Sequence, residues 1–159
     1  MEERKRLAVI RMRGRVNVRK TTEDTLQMLK LFRRFNCVII DDRPSYQGML
    51  QKIKDWATWG EIDSDTIELL LTKRGEMSET KNRITDDLIK RKTSFSSISE
   101  FAQSVHDFKA DFSDLPALKK VFRLHPPRKG LKGIKASFTE GGDLGYRGHD
   151  IVRLIQKMI

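Results

Sequence analysis

The sequence predicts a fold that mixes strands with helices, interrupted by a helical insertion. In the first 63 residues, short apolar or alternating stretches are separated by stretches with helical periodicity, in the order strand, helix, strand, helix, strand. Residues 64–118 contain short helical stretches only, and residues 119–159 are basic and rich in glycine. We therefore divide the chain into a β-α-β-α-β core (1–63), an inserted helical subdomain (64–118), and a strand, basic loop and final helix that return to the core (119–159).

The first strand is predicted over Leu7–Arg13 and leads into a basic loop. Ala8, Ile10 and Met12 alternate with other side chains, a period of two that is typical of a half-buried strand. Residues 11–20 read RMRGRVNVRK and include no acidic residue. Burying an unpaired charge costs several kcal/mol, so we expect these side chains to face either solvent or a polyanion. Guanidinium groups match phosphate oxygens in pairs, but a merely solvated loop fits the residues equally well.

The first helix is predicted to start near Thr22, with a hydroxyl cap followed by carboxylates in the first turn, and to run to about Arg34. At helical spacing, one broad apolar face is expected from Met28, Leu29, Leu31, Phe32 and Phe35. On the opposite side lies a basic stripe of Lys30, Arg33 and Arg34. This stripe is either a solvated face or an extension of the basic loop.

The second half of the β-α-β-α-β core is predicted from the same kinds of sequence pattern. Cys37–Ile40 is a continuous apolar run, which predicts a strand covered on both faces, with the lone Cys37 as a small buried hydrophobe. A second helix is predicted to open at Ser45, and its apolar side comprises Tyr46, Met49, Leu50 and Ile53. The third strand is expected within Trp56–Ile62.

The insertion is predicted to contain helices at Thr66–Lys73, Arg83–Lys92 and Ile98–Phe108, with a turn near Pro116. None is long enough to be stable in water alone, so they must pack on each other or on the core. Their own small core is expected from Phe101, Phe108 and Phe112.

The C-terminal region begins with a predicted strand at Val121–His125, which joins the first sheet. Prolines 126 and 127 then favour an extended, exposed chain. The glycine-rich stretch after them buries too little surface to be ordered alone, so we expect it to order on RNA; the alternative is a flexible tail. The last helix is predicted at Asp150–Met158, with apolar residues at core spacing.

Charge is distributed unevenly along the chain. The net charge is +10 overall, with +6 in residues 1–50, −3 in residues 51–115 and +7 in residues 116–159. A basic excess of this size is the electrostatic footprint expected of a nucleic-acid or anionic-surface binder. If the two ends meet in space, they form one positive face.

Several functional classes are not supported by the residues. The three histidines have no cysteine pair or carboxylate cluster at ligand spacing, so neither a metal site nor a cofactor is expected. No complete phosphate-binding or nucleophile motif is present, so the chain is not expected to be an enzyme. There is no membrane-length apolar run and no signal-peptide pattern, so an intracellular protein is expected.

Five motifs resemble a known family. They are RGRVNV (13–18), PSYQGM (44–49), WGEI (59–62), FRLHPPRKG (122–130) and EGGDLG (140–145). Together and in this order they resemble the large-subunit ribosomal protein family called number thirty in bacteria and number seven in eukaryotes, in its long archaeal form. The archaeal pattern often has a second glycine where this chain has Lys129.

This resemblance implies an α+β fold, with a small antiparallel sheet in the order 3-1-2, a helical insertion and an extended basic C-terminal segment. The residues alone favour a parallel first strand pair joined by a right-handed crossover. We follow the family, because the basic loop is long enough to carry the chain back across the end of the sheet.

The resemblance also implies a structural constituent of the large ribosomal subunit in the cytoplasm. Such a protein would bind rRNA and stabilise the packing of its helices, including near the small separate (5S-type) rRNA, beside neighbouring ribosomal proteins and away from membranes. The alternative is a stand-alone regulatory RNA-binding module, which would carry exposed aromatic pairs on its sheet.

Three groups of residues are expected to contact RNA. The first is the basic loop with its extension: Arg11, Arg13, Arg15, Asn17, Arg19, Lys20, Arg33 and Arg34. The second is the start of the second helix, where Ser45 is otherwise a cap and Tyr46 otherwise core: Ser45, Tyr46 and Gly48. The third is the C-terminal segment: His125, Arg128, Lys129, Lys132, Lys135, Arg147 and His149.

Overall fold

A computed structural model describes residues 3–115 and 117–159 of the chain; the predicted turn at Pro116 lies outside them. The strands of the described residues are β1 (Arg6–Arg11), β2 (Asn36–Asp41), β3 (Ala57–Glu61), β4 (Phe122–Arg123) and β5 (Gly145–Tyr146). The α-helices are α1 (Lys20–Met28), α2 (Pro44–Lys52), α3 (Ser64–Arg74), α4 (Asp86–Lys92), α5 (Ile98–His106) and α6 (Asp150–Met158). Short 3-10 helices occur at Phe112–Asp114 and Phe138–Glu140.

One sheet contains all five strands, in the order β4-β2-β1-β3-β5. Its centre is antiparallel, with Val9 opposite Val38 on one side and opposite Trp59 on the other. The α+β class is therefore confirmed, and a parallel first pair is wrong. The predicted three-stranded antiparallel sheet in the order 3-1-2 forms only the centre of the observed sheet. Strand β4 extends one edge, and β5 joins the other edge parallel to β3.

The sheet is covered on both faces. Leu7 and Val9 pack under α1 and α2, whereas Ala8, Ile10 and Met12 contact the helices of the insertion and α6. All six residues of β1 are buried, so the half-buried strand predicted from alternation is wrong. Period two reports which side chains share a face, but it cannot report what covers that face.

The insertion shares its core with the sheet. The rings of Phe95, Phe101, Phe112 and Phe122 form a chain of edge-to-face contacts, with centroids 5.5, 6.3 and 6.2 Å apart, and Phe122 belongs to β4. The expectation of a separate small core is therefore wrong. Phe108 lies outside the buried set, with its ring 4.1 Å from the guanidinium carbon of Arg6.

Helix α1 is shorter than its periodicity predicts. It begins at Lys20 with Arg19 at the N-cap and no side-chain cap, so the threonine cap is wrong. It ends at Met28 because Lys30 adopts a left-handed conformation with φ +62°. The amide of Leu31 then donates to the carbonyl of Leu26 and that of Lys30 to Gln27, which is a Schellman ending. The loop 29–35 follows in place of two further helical turns.

Helix α6 has the predicted bounds and packs across β3. A β-carbon on Gly60 would overlap the carbonyl oxygen of Gly148, just before this helix. The absence of a side chain at Gly60 therefore lets the backbone preceding α6 lie directly on the sheet. Ile151, Leu154 and Met158 point into the same core as the insertion.

Candidate nucleic-acid interface

The sheet brings the basic parts of the chain to one of its ends. Arg11 at the end of β1 lies opposite Ala57 at the start of β3, and Asn36 at the start of β2 lies opposite Arg123 at the end of β4. Gly145 of β5 pairs at the same end, with Thr58. The loops 12–19 and 29–35 and the segment 124–144 therefore all leave this end of the sheet, which we call the basic edge.

Arg11 is the main correction to the predicted contact surface. Its side chain is 0% exposed, and one terminal nitrogen lies 3.0 Å from the Oε2 atom of Glu23 in α1. Other guanidinium hydrogens are donated to the carbonyl oxygens of Arg13, Gly14 and Leu31. The expectation that this residue faces solvent or a polyanion is wrong. A counter-charge twelve residues away was invisible to a count of charges within the loop.

Three other arginines at the basic edge are exposed or half-buried and held in place. Arg15 donates from Nε to the carbonyl oxygen of Phe32 at 2.9 Å, and Arg34 donates from Nε to that of Met12 at 2.9 Å. The guanidinium carbon of Arg13 lies 4.3 Å from the ring centre of Trp56. These contacts leave most of the five N–H donors of each guanidinium group available.

The remaining predicted residues of this group lie on the surface. Arg19, Lys20 and Arg33 are exposed. Asn17 is also exposed and turns the tip of the loop with a left-handed backbone, φ +60°, which asparagine tolerates well. The structure thus brings together, at one edge, every predicted member of the first group except the buried Arg11.

The second predicted group lies elsewhere. Helix α2 starts after β2 ends, so Ser45, Tyr46 and Gly48 stand at the opposite end of the sheet from the basic loop. The N-cap of this helix is Arg43, and it has no side-chain cap bond, so the capping role of Ser45 is wrong. Tyr46 is half-buried, with the guanidinium carbon of Arg43 5.1 Å from its ring centre. Gly48 is exposed, with open space where a β-carbon would be.

The C-terminal group divides into surface and structural residues. Its exposed members are Arg128, Lys129, Lys132, Lys135 and His149. The ring of His125 is half-buried, with Nδ1 2.6 Å from the carbonyl oxygen of Pro126 and Nε2 2.7 Å from that of Ile159.

Arg147 is a second correction, because it is buried. It donates from Nε to the hydroxyl of Thr58 and from Nη2 to the carbonyl of Asp143, both at 2.8 Å. Burial lowers the pKa of this guanidinium, while the adjacent Asp143 carboxylate acts against that shift. A basic residue in a glycine-rich stretch thus proves to be an internal clamp.

The pair Arg147 and Asp143, which we call the clamp, also fixes the shape of the EGGDLG motif (140–145). The Asp143 carboxylate accepts a hydrogen bond from the amide of Gly133, and the amide of Asp143 donates to the carbonyl of Gly133, both at 2.8 Å. Gly142 lies so close to the carbonyl of Ala136 that a β-carbon would overlap it. The EGGDLG residues therefore shape a closed loop that presents the lysines on its outer side.

Two exposed apolar residues at the basic edge were not predicted. Phe32 is 41% exposed and Val16 is 81% exposed. Helical periodicity placed Phe32 in the core, and only the early end of α1 turns it outward. Nothing in the local sequence signals that ending, since the left-handed position holds a lysine instead of a glycine.

Fold and surface together define a class of protein: a basic α+β domain whose sheet ends in fixed, outward-facing guanidinium groups. Within the described residues, no group of three or more histidine, cysteine or carboxylate side chains could hold a metal ion. No helix in that part of the chain is long and apolar enough to cross a membrane.

Comparison with known proteins identifies the family. The model of the family described as ribosomal protein L30p/L7e matches residues 7–57, from β1 to the start of β3. The large ribosomal subunit protein uL30 of Methanopyrus kandleri is 54% identical over 150 residues, covering 93% of this chain and all of that protein. The uL30 proteins of Archaeoglobus fulgidus and Methanosphaera stadtmanae are 50% and 45% identical, over 95% and 96% of this chain.

The chain therefore belongs to the uL30 family of large ribosomal subunit proteins. The resemblance seen in the five motifs is confirmed over nearly the whole length. Membership makes the chain a structural, non-enzymatic component of cytoplasmic ribosomes.

Proposed function

We propose that this protein binds large-subunit rRNA through its basic edge and stabilises the packing of rRNA helices there. Following the family resemblance, the proposed location includes the vicinity of the small separate (5S-type) rRNA, beside neighbouring ribosomal proteins. The relatives are large ribosomal subunit proteins by name.

The observation that carries the proposal is the anchoring of Arg13, Arg15 and Arg34 by protein contacts. Arg15 and Arg34 are held through Nε and Arg13 through Nη1, and within the described residues their other terminal nitrogens make no hydrogen bond to the protein. Guanidinium groups that are already positioned lose less conformational entropy on binding than free side chains do. Phosphate oxygens accept such groups in pairs. The arrangement therefore favours contacts to the backbone of folded RNA.

The covered sheet supports the same mode of binding. Modules that read single-stranded bases stack them on aromatic residues of an open sheet face. Here α1 and α2 lie on one face, and the insertion and α6 lie on the other. Double-helical RNA, recognised by its shape, phosphates and 2′-hydroxyls, fits this surface better than a free strand does.

The test uses the intact protein and purified large-subunit rRNA. Reversing two charges with Arg13→Glu and Arg15→Glu should weaken binding and reduce the slope of log affinity against log salt by roughly one to two units, because each phosphate contact contributes close to one. The matched control is Lys90→Glu with Arg91→Glu, two exposed positions on α4 of the acidic insertion.

The proposal is wrong if the basic-edge variant and the control bind rRNA with the same affinity and salt dependence. A sucrose gradient of cell lysate adds a second criterion. Sedimentation of the protein with large subunits supports the ribosomal role, whereas a freely sedimenting protein would favour the regulatory module.

A further inference from the structure

Phe32 presents an aromatic surface in the middle of the basic edge. The residue is 41% exposed although its neighbour Leu31 is fully buried. An exposed aromatic ring contributes little to folding, and a single one on a surface is not unusual. Its position between cationic groups is what calls for an explanation.

The backbone that carries Phe32 is fixed on both sides. Arg11 donates to the carbonyl oxygen of Leu31 at 2.8 Å, and Arg15 donates to the carbonyl oxygen of Phe32 at 2.9 Å. Two successive carbonyl groups of the loop 29–35 are thus held by arginines from the end of β1 and the loop after it. The ring is therefore attached to a rigid support.

Cationic residues flank Phe32, and the loop that carries Arg15 also carries one exposed apolar side chain. Arg33 follows it in the chain, and the guanidinium of Arg15 reaches its carbonyl. Val16, next to Arg15, is 81% exposed at the loop tip. A protein partner with an apolar surface would have to cover these charges without neutralising them, whereas a nucleotide brings an aromatic base together with a phosphate.

We propose that Phe32 stacks against an unpaired nucleobase of the large-subunit rRNA, with Val16 at the side of the stack and Arg15 and Arg33 at the neighbouring phosphates. This inference rests on the proposed function and adds a local contact to it. Bases in loops and bulges of RNA can be splayed out and received by aromatic side chains or arginine planes. Stacking tolerates any base, because each one has a π-face.

The salt dependence of the affinity distinguishes a stacking contact from a phosphate contact. Stacking releases no counterions, so Phe32→Ala should lower the affinity for purified large-subunit rRNA about 5- to 150-fold with an unchanged salt slope. Phe32→Trp should keep or raise the affinity. Phe32→Leu retains an apolar side chain without a π-face and should behave like Phe32→Ala.

Two controls complete the experiment. Met28→Ala removes another exposed apolar side chain, 73% exposed at the end of α1, and should leave the affinity unchanged. Thermal unfolding of each variant verifies that the loop substitutions leave the fold intact. Chemical probing of base reactivity in the complexes should show one unpaired nucleotide protected by wild type and Phe32→Trp but exposed with Phe32→Ala.

The outcomes are distinct. Loss of affinity with Phe32→Ala, at constant salt slope and with a newly reactive base, supports stacking. Unchanged affinity and footprint with Phe32→Ala, while the charge-reversed basic loop still loses affinity, overturns the stacking contact and leaves the proposed function standing. If Phe32→Ala binds naked rRNA normally but fails to enter large subunits, the ring contacts a protein and the inference is wrong.

Discussion

The guanidinium group of Arg11 lies 3.0 Å from the carboxylate of Glu23 and is completely buried, although the sequence predicted that it would contact RNA. It also donates to three backbone carbonyl groups, two in the loop after β1 and one in the loop 29–35. One buried arginine therefore ties both protein loops of the basic edge to α1. Because the buried Arg11 holds both loops in place, it also helps to position the exposed arginines that these loops carry.

Replacing Arg11 should destabilise the fold strongly. Arg11→Met removes the charge but keeps an unbranched apolar chain, and it leaves Glu23 and three carbonyl groups without their donor. Breaking a buried pair from one side costs about 3–5 kcal/mol. Because Glu23 is partly exposed and can be hydrated, we expect the lower end of that range, measured by urea unfolding. Arg15→Met, which loses one exposed bond, is the control and should cost under about 1 kcal/mol. Equal losses would contradict the role of Arg11.

The sequence predicted those elements that produce a short-range pattern of residues. The three central strands and α6 were found because apolar runs and helical spacing are local properties. The end of α1 was missed because Lys30 occupies a left-handed position for which glycine is the usual signal. The burial of Arg11 and Arg147 was missed for a different reason. Their partners Glu23, in α1, and Thr58, in β3, meet them only in the folded protein.

The candidate surface was predictable as a region more than as a set of residues. Uneven charge along the chain indicated that basic ends could form one face, and the sheet does bring them to one edge. Which cations are exposed depends on the registers of β3 and β5, which no local pattern determines. The same limit applies to Ser45, whose helix start lies at the other end of the sheet.

Replacing either of two glycines by alanine should change the free energy of unfolding, but in opposite directions. Gly60→Ala would force a β-carbon into the Gly148 carbonyl, so we expect a loss of about 1–3 kcal/mol in the free energy of unfolding as α6 is pushed from the sheet. Gly48→Ala meets nothing within 4 Å in the interior of α2 and should stabilise by about 0.5–1 kcal/mol. Thermal unfolding measures both. A neutral Gly60→Ala would mean that α6 does not need this close approach.

The insertion should unfold together with the sheet. The sequence predicts an inserted subdomain with its own small core, but Phe101 and Phe112 pack through Phe122 into the sheet. Phe101→Ala should therefore cost about 3–5 kcal/mol and shift the whole transition. The measurement compares circular dichroism with tryptophan fluorescence, since Trp56 and Trp59 lie beside and within β3. If Phe101→Ala changes the melting of the helical signal but not that of the fluorescence, the insertion unfolds separately from the sheet.

Cys37 should report global unfolding. Burial in the core raises the pKa of its thiol to about 12, so at pH 8 only about one molecule in ten thousand would carry a thiolate, and that thiolate is enclosed. Modification by a disulfide reagent should then proceed only through opening of the fold, with a rate that rises steeply with urea. Rapid labelling of the native protein, equal to that of a free thiol, would contradict the buried position.

Arg147 and Asp143 form a clamp in the glycine-rich segment. Sequence reasoning expects this segment to be open in the isolated protein, whereas in the structure the Gly133 amide donates to the Asp143 carboxylate and Arg147 donates to the Asp143 carbonyl. Its exposed lysines at 129, 132 and 135 are sites for trypsin. Asp143→Ala removes a carboxylate that accepts from the Gly133 amide and faces Arg147, so local opening should become easier and cleavage at these lysines at least about tenfold faster.

The control for the clamp is Glu140→Ala, three residues away, where an exposed carboxylate is lost and the closed loop remains. Limited proteolysis followed by mass spectrometry identifies the bonds cut. In wild type, binding to large-subunit rRNA should suppress the cleavage further, because phosphate contacts to the lysines would cover them. Equal cleavage of wild type and Asp143→Ala would show that the clamp does not hold the segment. Equal cleavage with and without rRNA would show that these lysines stay exposed in the complex.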